Sequence, residues 1–263
     1  MVARSSNWAP TRICWRSTAT TPICTTSSCS KKNSRKSRVP MKRVVTPELL
    51  DEDLGTPEEI RQTLLDLRGF NQNFGGFRSV AALMRNAVNK HRLRSLSFLD
   101  VAGGTGDVAE YVQRTLSSEG VPVKATLLDR AVSHMVGSAA LERVAADALR
   151  LPFAPASFDI VGCNLFLHHL EPGDVVKFLN EALRVARWAV IVSDLRRNLF
   201  HWAVAYAGRI IYRSRLTRND APASVRRAYT SDEISALAAK TAAVSFDIST
   251  QYFQRFGLTL WKA

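Results

Sequence analysis

From residue 95 onward the chain alternates short apolar runs with stretches whose apolar residues recur every three or four positions. The runs at 96–101, 123–129, 143–147, 157–164 and 188–194 predict strands, and most of the stretches between them predict helices. Such alternation predicts an α/β fold with a doubly wound, mostly parallel sheet, because parallel neighbours need a crossover and the crossover is usually a helix. Two further runs, 244–250 and 251–262, predict a C-terminal antiparallel hairpin and bring the count to seven strands. Right-handed crossovers then carry the carboxyl ends of the parallel strands to one rim.

Before the first strand the pattern is helical. Thr56-Pro57-Glu58-Glu59 reads as a helix start, with an N-cap, Pro at the first position and Glu at the third, and Ile60, Leu64 and Leu67 mark one apolar face. Gly75-Gly76 break that pattern, and Phe77, Val80, Ala81, Met84 and Val88 mark a second helix. After Asp194, the residues Leu199, Trp202, Ala203, Tyr206 and Ile210 share one face of an amphipathic helix. Thr230-Ser-Asp-Glu233 is a second capping box, opening a helix to about Lys240.

The densest chemistry lies in Leu99-Asp-Val-Ala-Gly-Gly-Thr-Gly-Asp107, a buried strand ending in an acid, a glycine-rich turn and a helix opening at Thr105. Glycines let the backbone bend sharply and approach a ligand with no Cβ in the way, and a helix N-terminus presents free N–H groups and partial positive charge. This is a cradle for a nucleoside cofactor. Taken alone, Gly104-Thr-Gly106-Asp-Val-Ala109 with Asp129 behind it fits the dinucleotide fingerprint and leaves a nicotinamide-dependent oxidoreductase open. Three more segments follow in order: Leu127-Leu-Asp129, Ala146-Asp-Ala-Leu-Arg-Leu-Pro-Phe153, and Phe158-Asp-Ile-Val-Gly-Cys-Asn164 leading into Leu165-Phe-Leu-His-His-Leu170.

With these motifs, residues 95 to 195 resemble the class I, Rossmann-like S-adenosylmethionine-dependent methyltransferases. The wording of residues 100–107 is most similar to the branch containing the ubiquinone/menaquinone C-methyltransferases. The resemblance implies S-adenosyl-L-methionine as cofactor. It assigns Asp129 to the two ribose hydroxyls, Asp147 to the adenine amine and the Ala148 N–H to an adenine ring nitrogen. Ala102, Gly103, Gly104 and Gly106 would lie against the methionine moiety, with Asp100 near its ammonium and Asn164 closing the site opposite. The helices of 41–94 would pack on the core domain, 95–263, and contribute to an acceptor pocket.

Methyl transfer from a sulfonium needs orientation and exclusion of water more than acid–base chemistry. His168 and His169, just past the fourth strand, are the candidate bases for an acceptor that must lose a proton, and His201 is a weaker one. No nucleophile–base pair and no metal-ligand spacing is recognisable, so neither a covalent intermediate nor a metal is expected. The chain departs from the quinone methyltransferases at Arg184-Val-Ala-Arg-Trp-Ala-Val-Ile-Val-Ser-Asp-Leu-Arg-Arg197, where those enzymes carry a proline-glycine turn followed by an acid and a serine. The expected acceptor is therefore a small, largely apolar molecule, aromatic or polyketide-like. It would lie against the apolar face of the 199–211 helix, with Arg196-Arg197 either binding an anionic group or fixing the helix start. A non-catalytic cofactor-binding or assembly protein is the alternative from another class.

Composition changes the picture at the N-terminus alone. The 263 residues carry a net charge of +13, but residues 1–43 hold ten Lys/Arg and no acid, leaving 26 basic against 23 acidic residues in the rest. The body is nearly neutral, and no groove for a polynucleotide is expected. Residues 1–40 are basic, Ser/Thr-rich and aperiodic, hold Cys14, Cys24 and Cys29, and are expected to be disordered. Met41 as the true start, a mitochondrial transit peptide and a basic tail are the competing readings, favoured in that order. The chain shows no secretory signal and no stretch long enough to span a bilayer, and a cytoplasmic location is the simplest expectation.

Overall fold

The computed structural model describes residues 41–52, 54–135 and 141–262, and the N-terminal cysteines and the basic segment 1–40 lie outside them. Seven strands form one sheet: β1 (Leu96–Val101), β2 (Val123–Asp129), β3 (Glu142–Ala145), β4 (Phe158–Asn164), β5 (Ala186–Leu195), β6 (Ser245–Gln251) and β7 (Arg255–Trp261). Their order is β3-β2-β1-β4-β5-β7-β6. The first five run parallel, while β7 is antiparallel to both β5 and β6. This is the doubly wound, mostly parallel sheet with a C-terminal antiparallel hairpin that the alternation of strands and helices predicts. The order reverses between β1 and β4, the place where open α/β sheets leave a crevice beyond the strand ends.

Each central strand is apolar on both faces because helices cover both. Leu96 and Phe98 of β1 face the layer containing α2 (Gly76–His91) and α3 (Asp107–Ser118). Leu99 and Val101 face the opposite layer, with α4 (Pro172–Val185) and α7 (Ser231–Ala238). The same two-residue alternation places Ile160 on one side and Val161 and Cys163 on the other. Cys163 is a buried free thiol filling that core.

The expected helix starts are present. Thr56 and Glu59 cap α1 (Pro57–Asn73) reciprocally, and Thr230 and Glu233 do the same for α7. Helix α3 begins at Asp107 rather than Thr105, because Gly106 takes the left-handed cap conformation at φ +82°. One helix is absent from the sequence expectations: α6 (Arg215–Arg227), whose Pro222 masks its periodicity. It packs on α1 and on α5 (Leu199–Ala207), and these three helices cap the rim where the parallel strands end. Among the described residues no helix is long and apolar enough to cross a membrane.

Candidate active site

A cavity of about 620 Å³ opens at the carboxyl ends of β1, β2, β4 and β5 under the α1–α5–α6 cap. Asp100, Ala102, Gly103, Gly104, Asp129 and Asp147 line it from one side. Ala148, Asn164, His168 and His169 line it too, so nearly all the residues singled out in the sequence meet around one space. Gly106, which caps α3, sits behind the loop instead.

On this first side the chain is tightly drawn. A Cβ at Gly103 would strike the Leu127 side chain and come within 2.8 Å of an Asp100 carboxylate oxygen, so only glycine lets the loop fold onto the strand ends. The Asp129 Oδ2 accepts the Gly104 N–H at 2.8 Å and its Oδ1 accepts the Ala131 N–H at 2.9 Å. Each carboxylate oxygen has about two acceptor sites, so both keep one for a ligand. The Asp147 Oδ1 is satisfied by the Leu149 N–H at 2.9 Å, which fixes an exposed carboxylate at the cavity edge. Ala102 and Leu165, which follow β1 and β4, are non-glycine residues held at φ +54° and +55°. Left-handed backbone in L-residues costs about 1–2 kcal/mol, and it concentrates where a ligand site dictates the chain path.

Asp100 is fully buried and its Oδ2 has no hydrogen-bond partner. Burial, with the nearby Asp129 charge adding, pushes its carboxyl up to about 7, the Ala109 N–H opposing. An orphaned buried acceptor beside a glycine loop is suited to a cationic donor such as an ammonium.

The other side of the cavity is assembled from distant parts of the chain. The His168 Nδ1 lies 2.7 Å from Asp194 Oδ1, both side chains are buried, and the Asp194 Oδ2 accepts the His168 N–H at 3.2 Å. Burial alone would raise the Asp194 carboxyl, but the His168 ring by charge and hydrogen bond holds it below the usual carboxylate range. A carboxylate at Nδ1 fixes that nitrogen as the donor, so in the neutral ring the lone pair is on Nε2. His169 stacks on His168 at 4.1 Å between ring centroids and pairs with Asp51 through Nδ1 at 2.7 Å. Its exposure is greater, at 22% of the side chain against 3% for His168.

Glu48 completes this wall, and burial pushes its carboxyl up to about 7. Glu48, His168 and His169 bring possible ligand atoms within 4.8 Å of one another. The positive charge there is already supplied by Arg227, whose Nη1 lies 3.4 Å from Glu48 Oε1 and 3.3 Å from Asp51 Oδ2. The group therefore reads as a self-compensated polar wall.

Asn164 does not stand free. Its side chain donates to Asn71 Oδ1 at 3.2 Å and accepts from Arg255 Nη1 at 3.2 Å, while Arg255 Nη2 reaches Asn71 Oδ1 at 3.1 Å. Arg255 is buried, and burial lowers its guanidinium to about 10, Asp194 opposing, so it stays charged. His201, on α5, is buried against Arg196 O and held below its ordinary value mainly by that burial.

Two expectations about the cap are corrected. Leu199, Tyr206 and Ile210 point outward, and the cavity is met instead by His201, Val204 and Ala205 on the other face of α5. Arg197 is structural: it is buried, bonds Glu233 at 2.6 Å and the Met41 carbonyl at 2.7 Å, and also reaches Ala228 O. Arg196 joins Gln254 at 3.1 Å and does not line the cavity either. The residues that sequence reasoning missed are Glu48, Asp51, Asn71, Asp194 and Arg255. Asp194 alone carried a local signal, as an acid at the carboxyl end of a parallel strand.

Comparison with known proteins agrees with this layout. Residues 98–188 match the family described as a methyltransferase domain. A ubiquinone/menaquinone biosynthesis C-methyltransferase from Rhizobium leguminosarum bv. trifolii is 33% identical over 132 residues, covering 46% of this chain and 49% of that protein. The match thus spans about half the length of that curated relative. Among solved structures, the plantazolicin methyltransferase BpumL in complex with SAH superimposes with a TM-score of 0.62 at 13% identity, covering 82% of this chain and 95% of that one. Human N-acetylserotonin methyltransferase in complex with SAM gives 0.60 at 14% identity, over 83% and 60% of the two chains. An O-methyltransferase family 2 protein from Planctomyces limnophilus, in complex with apigenin, gives 0.57 at 18% identity, over 80% and 62%. Residues 98–188 thus match a methyltransferase domain, and the fold of the chain is similar to that of methyltransferases solved with SAM or SAH.

Proposed function

We propose that the chain binds S-adenosylmethionine along the β1–β2–β3 side of the cavity and transfers its methyl group to a small, largely apolar acceptor held under the α1–α5–α6 cap. The single observation carrying this reading is that the ordered motif residues, from Asp100 to Asn164, line the same cavity as a buried His168–Asp194 pair. A relative 33% identical over 132 residues is a C-methyltransferase, and structures of similar fold include complexes with SAM, SAH and apigenin.

The residues present fit the cofactor. Asp129 offers one free acceptor site on each oxygen for the two ribose hydroxyls, and Asp147 with the Ala148 N–H offers an acceptor and a donor for adenine. The glycine loop leaves room for the methionine chain, and the unpartnered Asp100 Oδ2 accepts from its ammonium directly or through water. S-adenosylmethionine, when bound, supplies an electrophilic methyl group on a sulfonium.

The chain's own residues then orient the acceptor, exclude water and handle one proton. Phe70, Phe74, Tyr212 and Phe253 give the acceptor side an aromatic wall. His168 takes the proton from an acceptor O–H or acidic C–H at Nε2 while Asp194 holds the ring and balances the imidazolium that results. His169, more exposed and paired with Asp51, orients rather than deprotonates. The test is an acceptor screen with radiolabelled S-adenosylmethionine. Transfer to phenolic or polyketide-like compounds is expected, and labelling of protein or RNA alone would sink the reading.

A further inference from the structure

The outward face of the cap is apolar where a surface helix should be polar. Leu199, Phe200 and Tyr206 of α5 are 66%, 61% and 50% exposed, and Ile210 and Ile211 just beyond it are 88% and 74% exposed. Exposed apolar residues scattered singly need no explanation, but a contiguous set marks an interaction surface. This set is continuous with the mouth of the cavity, because Ile211 lines the cavity as well as facing solvent. Two other elements complete the rim in the same way. Phe74 at the end of α1 and Phe253 in the β6–β7 turn line the cavity, stack at 4.9 Å between centroids and stay partly exposed. The turn itself is strained to present its aromatics, with Phe253 and Gln254 at φ +37° and +58°.

Charge decides what this rim fits. Between Asp194 and Asp220 the sequence has six arginines and no acid. Arg197 and Arg215 are used internally, paired with Glu233 and Glu59. Arg209, Arg213 and Arg218 are exposed and have no ion pair among the described residues, and Arg209 lies over the Tyr206 ring at 5.0 Å. An apolar ridge bordered by these arginines, with Asp66 behind it accepting the Ser214 N–H at 3.2 Å, complements an anionic lipid surface: the apolar side chains enter the acyl boundary and the arginines meet headgroup phosphates.

We propose that the α5 cap docks on anionic bilayers and that the cavity mouth it carries draws its acceptor from the lipid phase. The acceptor is then a molecule with an apolar tail long enough to partition into membrane and a methylatable head that reaches His168. The docking stands on the surface alone, whereas the delivery of an acceptor rests on the proposed methyl transfer.

The test is sedimentation of the full chain with vesicles of equal parts phosphatidylcholine and phosphatidylglycerol, beside vesicles of phosphatidylcholine alone. Binding to the anionic vesicles that weakens with salt is expected. Phe200→Asp/Ile210→Asp and Arg209→Glu/Arg213→Glu should each lower the bound fraction about tenfold or more. These side chains are exposed, so unchanged melting temperatures show that the variants fold. Binding that survives both variants is carried by the basic N-terminal residues and overturns the proposal. So does a wild-type chain that stays in the supernatant, including one that forms a dimer in solution which the apolar variant dissociates. S-adenosylmethionine titration of the same preparations separates the two readings. A normal titration without vesicle binding defeats the docking alone, and its absence in the wild type defeats the cofactor reading.

Discussion

The two sides of the cavity are built in opposite ways. On the proposed cofactor side, Asp100, the glycine loop, Asp129 and Asp147 lie within one stretch of about fifty residues, each at or just past the end of a parallel strand. On the acceptor side, Glu48, Asn71, His168, Asp194 and Arg255 come from five separate elements or loops, and their contacts join residues up to 184 apart in the chain. The first side is backbone geometry decorated with acids, which strand order and right-handed crossovers position. The second is a side-chain network that exists only once the cap has closed over the sheet. The lesson is that the proposed cofactor side follows from topology and the proposed acceptor side from packing.

The largest effect should come from splitting the sides at the proton-transfer group. His168→Ala is expected to lower kcat by about 10²–10⁴-fold while leaving S-adenosylmethionine affinity near wild type. Asp194→Asn should reproduce part of that loss, and His169→Ala should cost less than either. Steady-state kinetics with cofactor titration checks all three. A His168 variant that loses cofactor affinity and keeps kcat would merge the two sides.

Next in size, Asp129→Ala removes the proposed acceptor for two ribose hydroxyls and a bond to the glycine loop. About 10²-fold weaker cofactor binding is expected from two charge-assisted hydrogen bonds. Binding within threefold of wild type, measured by calorimetry, would show that Asp129 serves the loop alone.

A smaller effect concerns pH. With its carboxyl at about 7, Asp100 is largely protonated at pH 6 and ionised at pH 8. An ionised Asp100 favours an ammonium, so S-adenosylmethionine affinity should rise about tenfold from pH 6 to pH 8, and Asp100→Asn should flatten the slope. The unliganded protein should behave oppositely. The folded values of Asp100 and Glu48 both lie near 7, above those of the unfolded chain, so the folded state retains protons that the unfolded state releases. Stability should therefore fall as pH rises from about 4 through about 7, and thermal melts across that range measure it. A melting temperature that climbs steadily from pH 5 to pH 8 would contradict the burial of these acids.

The smallest effect is on the backbone. Ala102→Gly should stabilise the fold by up to about 1 kcal/mol by relieving the φ +54° conformation, read as a rise in denaturation midpoint.

This contrast also explains how much was legible beforehand. The sequence pattern marked all seven strands within a few residues, the central ones most clearly, because strands buried on both faces leave a continuous apolar signature that the exposed edge strands β3 and β6 lack. The acids lining the first side of the cavity were legible because they follow those runs directly. Helix α6 was hidden by Pro222, which a helix start tolerates but a helix interior usually does not. The outward turn of Leu199, Tyr206 and Ile210 was not legible, because periodicity identifies an apolar face without saying what covers it. Asn71 and Arg255 carried no local signal at all, since a hydrogen bond between residues 184 positions apart depends on the finished packing.

The most direct test of the central claim is calorimetric titration of the wild-type chain with S-adenosylmethionine and, in parallel, with NADH. One-to-one S-adenosylmethionine binding, competed by S-adenosylhomocysteine and with no heat from NADH, is the predicted result. A folded protein that takes up NADH and ignores S-adenosylmethionine would contradict the account and return the glycine loop to a dinucleotide.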